Sequence, residues 1–343
     1  MRTDLFDFHL PEELIAQHPL ADRSAGRLLH VCADALHDRM VTDVPSLFDE
    51  RDVLVFNNSK VIPARLFGMR GEVRIEFLLH KERAAQTWTA FAKPAKRLSV
   101  GDVVQIAEDM WAHVQEKCPT GEVVLQFNAP TREVFLEQLV RYGHIPLPPY
   151  MKRPDAQEDK ERYQTVYAKY EGSVAAPTAG LHFTESLLEA LRARGVGMEY
   201  VTLHVGGGTF LPVKVDDTND HVMHSEYAVL SADVAQRLNQ ARAEGKRIVA
   251  IGTTSMRTLE SAADDAGIIQ PFASETSIFI TPSYRFKVVD RLMTNFHLPK
   301  STLFMLVSAF SGLERMHHAY AHAIAQKYRF YSYGDASLLE RCP

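Results

Sequence analysis

Apolar positions along the 343-residue chain change their spacing as the sequence proceeds, and the changes divide it. Residues 1–58 mix the helical and the extended period. LPEELIAQ predicts a short helix beginning after Leu10, with Pro11 in a first-turn position where a missing N–H is harmless. RDVLVFNNS reads as a buried strand that ends in a polar turn. Between 59 and 130 the runs become short and β-rich (EVRIEFLLH, TWTAFAK, DVVQIA, WAHVQE, EVVLQFN), several of them separated by turn residues at Gly71, Gly101-Asp102 and Gly121. That spacing predicts a small closed β-barrel or sandwich. TREVFLEQLVRYG then predicts a helix with Thr131 as N-cap, Leu136, Leu139 and Val140 on one face and Gly143 as stop. Residues 144–183 are irregular and rich in Pro, Gly and aromatic residues; a loop of this length is functional or disordered, and the aromatic content speaks against disorder.

From 184 onward the two periods alternate. Thr184 caps a helix to 194, GMEYVTLHV and EYAVLS are strands, and Ser231 caps a helix to about 244. KRIVAIGTT is a strand followed by a helix to about 266, TSIFI and YRFKVVD are strands, and helices near 300–311 and 315–327 close the sequence. Alternation of this kind predicts an α/β layer architecture, helices over a sheet or an open barrel. The expected organisation is therefore one α/β, barrel-like main domain made of residues 1–58 and 151–343, with a small all-β barrel domain, 59–150, inserted between them.

Composition narrows the class. Apolar residues at 46% and charged residues at 24% exclude a disordered, collagenous or low-complexity chain. The longest apolar run, 302–310, is about half a membrane span, and Arg2, Asp4 and Asp7 stand where a secretory signal would need apolar residues. Cys32, Cys118 and Cys342 are odd in number and far apart, which suggests neither a disulfide framework nor a thiolate metal site and points to a reducing cytoplasm. A net charge of −5 argues against wholesale coating of nucleic acid. Yet residues 60–97 hold nine Lys/Arg against three acids, a local excess of +6, which reads either as a polyanion footprint or as a solvated strand face.

Six of the fifteen histidines fall between 144 and 297, in Gly-, Pro- or Thr-rich settings. AAPTAGLHFT (175–184) combines small residues that allow close backbone approach with His182 ahead of a helix start; the plain alternative is a tight turn with a packed histidine. In TLHVGGGTFLPV (202–213) three glycines follow a strand, but the extended, Pro-interrupted continuation excludes a dinucleotide loop. It suggests a bulge that shapes a pocket beside His204, or else a flexible turn. DHVMHSEY (220–227) packs His221, His224 and Glu226 together for metal binding or acid–base work, or as a surface turn; a zincin's His-Glu-x-x-His is absent. IGTTSMRTLES (251–261) runs from strand to helix through Gly-Thr-Thr, where backbone N–H groups could hold a carboxylate or phosphate, with Arg257 and Glu260 on one face as a pair or a ligand site; simple capping is the alternative. TNFHLPKSTLF places Asn295 and His297 before a helix with Lys300 in its first turn, an arrangement that hints at an anionic partner. YRFYSYGDASLL is aromatic enough to stack bases or stabilise a cation, although packing explains most of its tyrosines.

These strings, together with FDFHLPEELIAQHP, FNNSKVIPARLFG, YGHIPLPPY and RYQTVYA, closely resemble the S-adenosylmethionine:tRNA ribosyltransferase-isomerase family of queuosine biosynthesis, end to end, with 66–130 the least distinctive stretch. The resemblance implies a transferase with two substrates, S-adenosylmethionine and a tRNA whose wobble position carries 7-aminomethyl-7-deazaguanine. The ribosyl moiety moves onto the aminomethyl group and is rearranged to an epoxycyclopentane, and adenine and methionine leave. It also implies an α/β barrel-like main domain with an inserted β-barrel, no metal and no bound cofactor, and a cytoplasmic enzyme without membrane attachment, here expected to be a monomer. In the matching strings the candidate acid–base groups are Glu226, His204, His224 and His182. The candidates for substrate binding are Asn58, Arg65, Thr178, Gly207, Thr209, Thr253, Thr254, Arg257, Asn295 and His297. Two other functions remain open on the residues alone: a metal-dependent hydrolase built on His221, His224 and Glu226, and a non-catalytic RNA-binding protein using the basic stretch.

Overall fold

The computed structural model describes residues 1–118, 121–210 and 213–342. Strands β1 (Arg27–Val31), β2 (Leu36–Met40) and β3 (Asp52–Asn57) come first, with the single-turn helix α1 (Val44–Leu47) before β3. A short strand β4 (Ser59–Val61) leads into β5 (Arg65–Arg70), β6 (Val73–Ala84), β7 (Thr87–Lys93), β8 (Val103–Ala107), β9 (Met110–Lys117) and β10 (Val123–Phe127). Helices α2 (Arg132–Tyr142) and α3 (Asp159–Arg162) and strand β11 (Tyr170–Ser173) follow, then α4 (Glu185–Ala193), β12 (Gly197–Leu203), β13 (Glu226–Leu230), α5 (Ala232–Ala243) and β14 (Arg247–Ile251). The chain ends with α6 (Thr253–Ala262), β15 (Phe272–Thr276), β16 (Arg291–Asn295), α7 (Thr302–Ser311), α8 (Leu313–Ala325) and β17 (Ala336–Glu340).

Strands β5 to β10 close into an antiparallel barrel in the order β10-β7-β6-β5-β8-β9. Leu66, Ile75, Phe77, Leu79 and Trp88 fill it, and α2 plugs one side through Phe135 and Leu139. Thr131 caps that helix, its hydroxyl accepting the Val134 N–H as the sequence pattern indicated. The chain enters the barrel from β4 and returns by β11, which pairs with β4 in parallel.

The remaining strands form one mixed sheet of order β15-β13-β12-β3-β14-β16-β17-β1-β2. At its centre β12, β3, β14 and β16 run parallel. All six residues of β3 are buried, as a strand covered on both faces requires. Its side chains alternate: Val53 and Val55 face the layer containing α5, α6 and α7, while Leu54 and Phe56 face α1 and α4. The expected class, α/β with a small all-β barrel, is the observed one.

Three expectations about local elements need correction. LPEELIAQ forms only a single 3-10 turn, Glu12–Leu14, because the chain then straightens to exchange backbone bonds with Phe330. The strand expected at TSIFI lies earlier, as β15, and stops at Thr276, whose hydroxyl takes the Ile278 N–H. YRFKVVD is not a strand. The backbone N–H groups of Lys287, Val288 and Val289 converge on the buried carboxylate of Glu260 (2.8, 3.1 and 3.1 Å), and the Tyr284 hydroxyl adds a fourth donor (3.2 Å). A ladder has no N–H left there, so the segment wraps around one side chain. Glu260→Ala strands those donors, each worth about 1–3 kcal/mol if left unmet. Urea unfolding is expected to show a loss of at least about 3 kcal/mol, with Glu260→Gln milder; a loss under about 1 kcal/mol would contradict this account.

Candidate active site

Parallel pairing brings the C-terminal ends of β3, β12, β14 and β16 to one edge of the sheet, the place where open α/β sheets hold ligands. The segments singled out at His204–Gly208, Gly252–Thr254 and Asn295–Ser301 all emerge there. Asn57, at the end of β3, binds two of them together. Its Nδ2 donates to the Leu203 carbonyl (2.9 Å) and to Thr254 Oγ1 (3.2 Å), and its Oδ1 accepts the Leu203 N–H (3.0 Å). Asn57 is the knot that the sequence reading missed by one position. Asn58 is also buried, but its amide oxygen is taken by Thr202 Oγ1 (2.7 Å), and it serves the framework.

A cavity of about 360 Å³ opens behind this edge. Gly252 turns the chain from β14 into α6 with φ +89°, a conformation that glycine adopts without strain, so that Thr253 and Thr254 face the cavity. Thr178, Asn295 and His297 form the opposite wall with Tyr150, Phe296 and Tyr331. Asn295 is oriented by its surroundings. The Tyr331 carbonyl can only accept, so Nδ2 points to it (3.1 Å) and also reaches His182 Nε2 (3.2 Å), while Oδ1 accepts from Thr178 Oγ1 (3.1 Å). His182 therefore carries its proton on Nδ1. It faces a separate small cleft beside Arg23 and Tyr333. Burial, helped by the charges of Arg329 and Arg23, lowers the His182 pKa to about 4; burial alone lowers His297 to about 3. Lys300 does not lie in a helix. Ser301 caps α7, and Lys300 sits outside it, paired with Asp7 (2.8 Å).

The second group of candidates lies on the other side of the glycine-rich loop. A charged cleft between the barrel and the sheet has two adjoining lobes of about 620 and 400 Å³. His224 faces the larger lobe and His204 the smaller, and Glu226 and Gly206 border both. The two cavities thus meet at consecutive residues, with Val205 in the wall of the first and Gly206 in the wall of the second. Glu226, the first residue of β13, holds this divider: its Oε1 accepts the Gly206 N–H (3.0 Å) and its Oε2 is paired with the buried Arg257. Arg257 thus reaches across to β13, not along its helix to Glu260. A side chain at Gly207 would press on His80 (3.2 Å), and one at Gly208 would overlap the His224 ring (2.5 Å). Thr209 follows in the same turn, with its side chain outside the described residues.

His80, from barrel strand β6, is the functional candidate that the sequence did not single out. It stacks on Phe91 (4.5 Å between ring centres) and lies 3.0 Å from Glu122; burial lowers its pKa to about 4 despite that carboxylate. His204 is also lowered, by burial first and by Arg132 second, and its Nδ1 is buried without a partner. Arg65 lies in neither cavity. It pairs with Glu76 (3.4 Å) and bonds the Leu147 carbonyl (3.2 Å), fastening the barrel to the long loop.

The metal-hydrolase reading fails on geometry. Glu226 is committed to Arg257, and His221 rests against Phe279 (5.2 Å). Among the described residues the set close enough to hold an ion is His30, Cys32 and Glu340, on β1 and β17 and just beyond. The basic stretch is largely neutralised: Lys60, Arg65, Arg70, Lys81 and Arg83 pair with Glu171, Glu76, Asp102, Glu275 and Glu116. Arg74, which lies over the Phe67 ring, and Lys93, Lys96 and Arg97 remain exposed, the last three close in sequence on the barrel.

Neutral buried imidazoles make stability depend on pH. Unfolded histidines titrate near about 6.5, whereas His80, His182 and His297 stay neutral in the fold down to about 4, 4 and 3. Below about pH 6.5 the unfolded chain binds more protons, so this contribution to stability is level above that point and falls as the pH drops towards 4. Denaturant midpoints measured from about pH 8 to about pH 4.5 are expected to fall only in the acid half, and less steeply in His297→Gln; identical slopes would contradict the assignment.

Residues 3–339 match the family model described as queuosine biosynthesis protein. The S-adenosylmethionine:tRNA ribosyltransferase-isomerase of Rhodospirillum rubrum is 57% identical over 99% of this chain and 98% of its own length. The protein of the same name from Novosphingobium aromaticivorans is 56% identical over 99% of each. Among solved structures, the S-adenosylmethionine tRNA ribosyltransferase of Thermotoga maritima aligns over 97% of this chain and 99% of that one, with 33% identity and a TM-score of 0.56.

Proposed function

The chain belongs to the queuosine biosynthesis protein family, and from that premise we infer that it is an S-adenosylmethionine:tRNA ribosyltransferase-isomerase. It transfers the ribosyl moiety of S-adenosylmethionine to 7-aminomethyl-7-deazaguanine at the tRNA wobble position and isomerises it, forming epoxyqueuosine and releasing adenine and methionine. One observation carries the assignment of substrates to places: the glycine-rich segment that starts at Val205 and Gly206 lies between an aromatic cavity without a carboxylate in its described wall and a charged cleft. We assign S-adenosylmethionine to the first and the wobble nucleotide to the second.

In the first cavity the turn at Gly252 presents the N-terminus of α6, which suits the methionine carboxylate. The wobble base comes from a single-stranded loop and can be splayed into the cleft at modest expense. Lys93, Lys96 and Arg97 supply phosphate contacts on the barrel side. The sulfonium acidifies the hydrogens on the adjacent C5′ carbon. His204 is the base that fits: neutral because it is buried, with Nδ1 unoccupied, and one residue from the divider. His224 then serves the incoming amine, which must be neutral to attack. Glu226 and Arg257 hold the divider between the two substrates and act as positioning residues. S-adenosylmethionine is consumed, so the scheme uses no resident cofactor and no metal.

No helix among the described residues is long and apolar enough to cross a membrane. The cytoplasm, where tRNA is modified, is the proposed location, and one copy of the chain carries the whole scheme.

Incubation with S-adenosylmethionine and tRNA bearing the aminomethyl base is expected to release adenine and methionine; absence of adenine above background overturns the inference. His204→Ala, removing an acid–base group worth about 10²–10⁴-fold, is expected to lower turnover at least about tenfold with an unchanged circular dichroism spectrum. Glu226→Gln and Arg257→Ala should do the same by loosening the divider. Wild-type turnover in all three variants would mean that other groups do the chemistry.

A further inference from the structure

The cavity assigned to S-adenosylmethionine has no carboxylate in its described wall. Its one ionised side chain is Lys300, already paired with Asp7, and burial keeps His297 neutral. A cation placed there meets no counter-charge. The wall holds a tyrosine pair instead: Tyr150, from the long loop after α2, stacks on Tyr331 with ring centres 4.1 Å apart and planes at 25°. The Tyr150 hydroxyl is engaged with Ser332. The Tyr331 hydroxyl is buried with no hydrogen-bond partner among the described residues, on a residue only 6% exposed. Tyr331 also holds φ +73°, a backbone state that costs a non-glycine residue free energy and persists where the surroundings enforce it. Here the enforcement is visible, because the Tyr331 carbonyl is bonded by the same Asn295 that orients His182.

Both tyrosines line the cavity, and an aromatic face attracts a cation within about 6 Å through its quadrupole. We propose that the Tyr150–Tyr331 stack is the sulfonium-recognition element of this cavity, with the Tyr331 ring setting the preference for a charged sulfonium over a neutral thioether. The proposal rests on the reading of S-adenosylmethionine as the substrate and adds the residue that recognises its charge. An aromatic face suits a sulfonium better than a carboxylate does, because it stabilises the positive sulfur without offering a nucleophile to the carbons around it. It also favours turnover: when the C5′–S bond breaks, the sulfur keeps the electron pair, methionine becomes a neutral thioether, and the attraction is gone.

The test uses the full chain without tRNA. Calorimetry gives the dissociation constants of S-adenosylmethionine and of S-adenosylhomocysteine, its neutral thioether counterpart, for wild type, Tyr331→Phe and Tyr331→Leu. Wild type is expected to prefer the sulfonium by about tenfold. Tyr331→Phe keeps the ring face and should keep that ratio, and Tyr331→Leu should bring the ratio close to one. Should the leucine variant fold poorly, stepwise fluorination of a phenylalanine at 331 keeps shape and removes the quadrupole. Sulfonium affinity should then fall with each fluorine while thioether affinity holds. An unchanged ratio in the leucine variant, or no response to fluorination, overturns the proposal even if wild type releases adenine normally. Failure of wild type to release adenine would instead remove the functional reading itself.

Discussion

The side-chain amide of Asn57 is the constraint on which the site depends. Parallel strands end together, but nothing in a ladder fixes how the chain leaves them. One buried amide, bonded to both backbone groups of Leu203 and to the hydroxyl of Thr254, locks the exit of β12 to the start of α6. The glycine-rich divider and the Gly252 turn are then held at a set separation, and the two cavities on either side of them keep their shapes. A buried amide satisfied on both ends is rigid because any movement would leave a donor or an acceptor without a partner in a dry interior.

Buried charge is used in the same way. Glu260 gathers three consecutive backbone N–H groups and converts a potential strand into a loop. Glu226 and Arg257 together pin Gly206. Asp159 is bonded by Arg153 and by the Tyr333 hydroxyl, tying the long loop to the aromatic segment near the C-terminus. A carboxylate in such a position costs desolvation and recovers it only with several donors in place. The long loop is therefore ordered by ion pairs at its base, and Tyr150 reaches the cavity wall from a firm footing.

The histidines divide along the same line. Those in the aromatic cavity and beside it, His297 and His182, are neutral and locked by hydrogen bonds, which suits them to shape the binding surface. Those at the charged cleft, His80, His204 and His224, come from two different layers, one from the barrel and two from the sheet side. The groups assigned to proton transfer thus lie on the cleft side, with His204 next to the divider and so nearest the sulfonium side.

By itself the sequence determined most of the elements, the inserted β-rich stretch and the motif strings that carry the chemistry. Continuous apolar runs such as RIVAI and VLVFN read as buried strands, the short β-rich runs between 59 and 130 as a closed barrel or a sandwich, and Thr131, Thr184 and Ser231 mark helix starts by the oxygen each offers. The motif strings were long enough to carry the family. Tertiary structure decided everything that depends on a partner far along the chain. Glu226 and Arg257 are thirty-one residues apart and pair, while Glu260, three residues from Arg257, turns to a different loop. His80 gains its role because the barrel leans on the sheet, and Tyr331, still part of the packed core, also lines a cavity wall where Tyr150 stacks on it. Periodicity encodes which face a residue presents, since that is set by local backbone geometry; the identity of what it meets there is set by chain crossings that no local pattern contains.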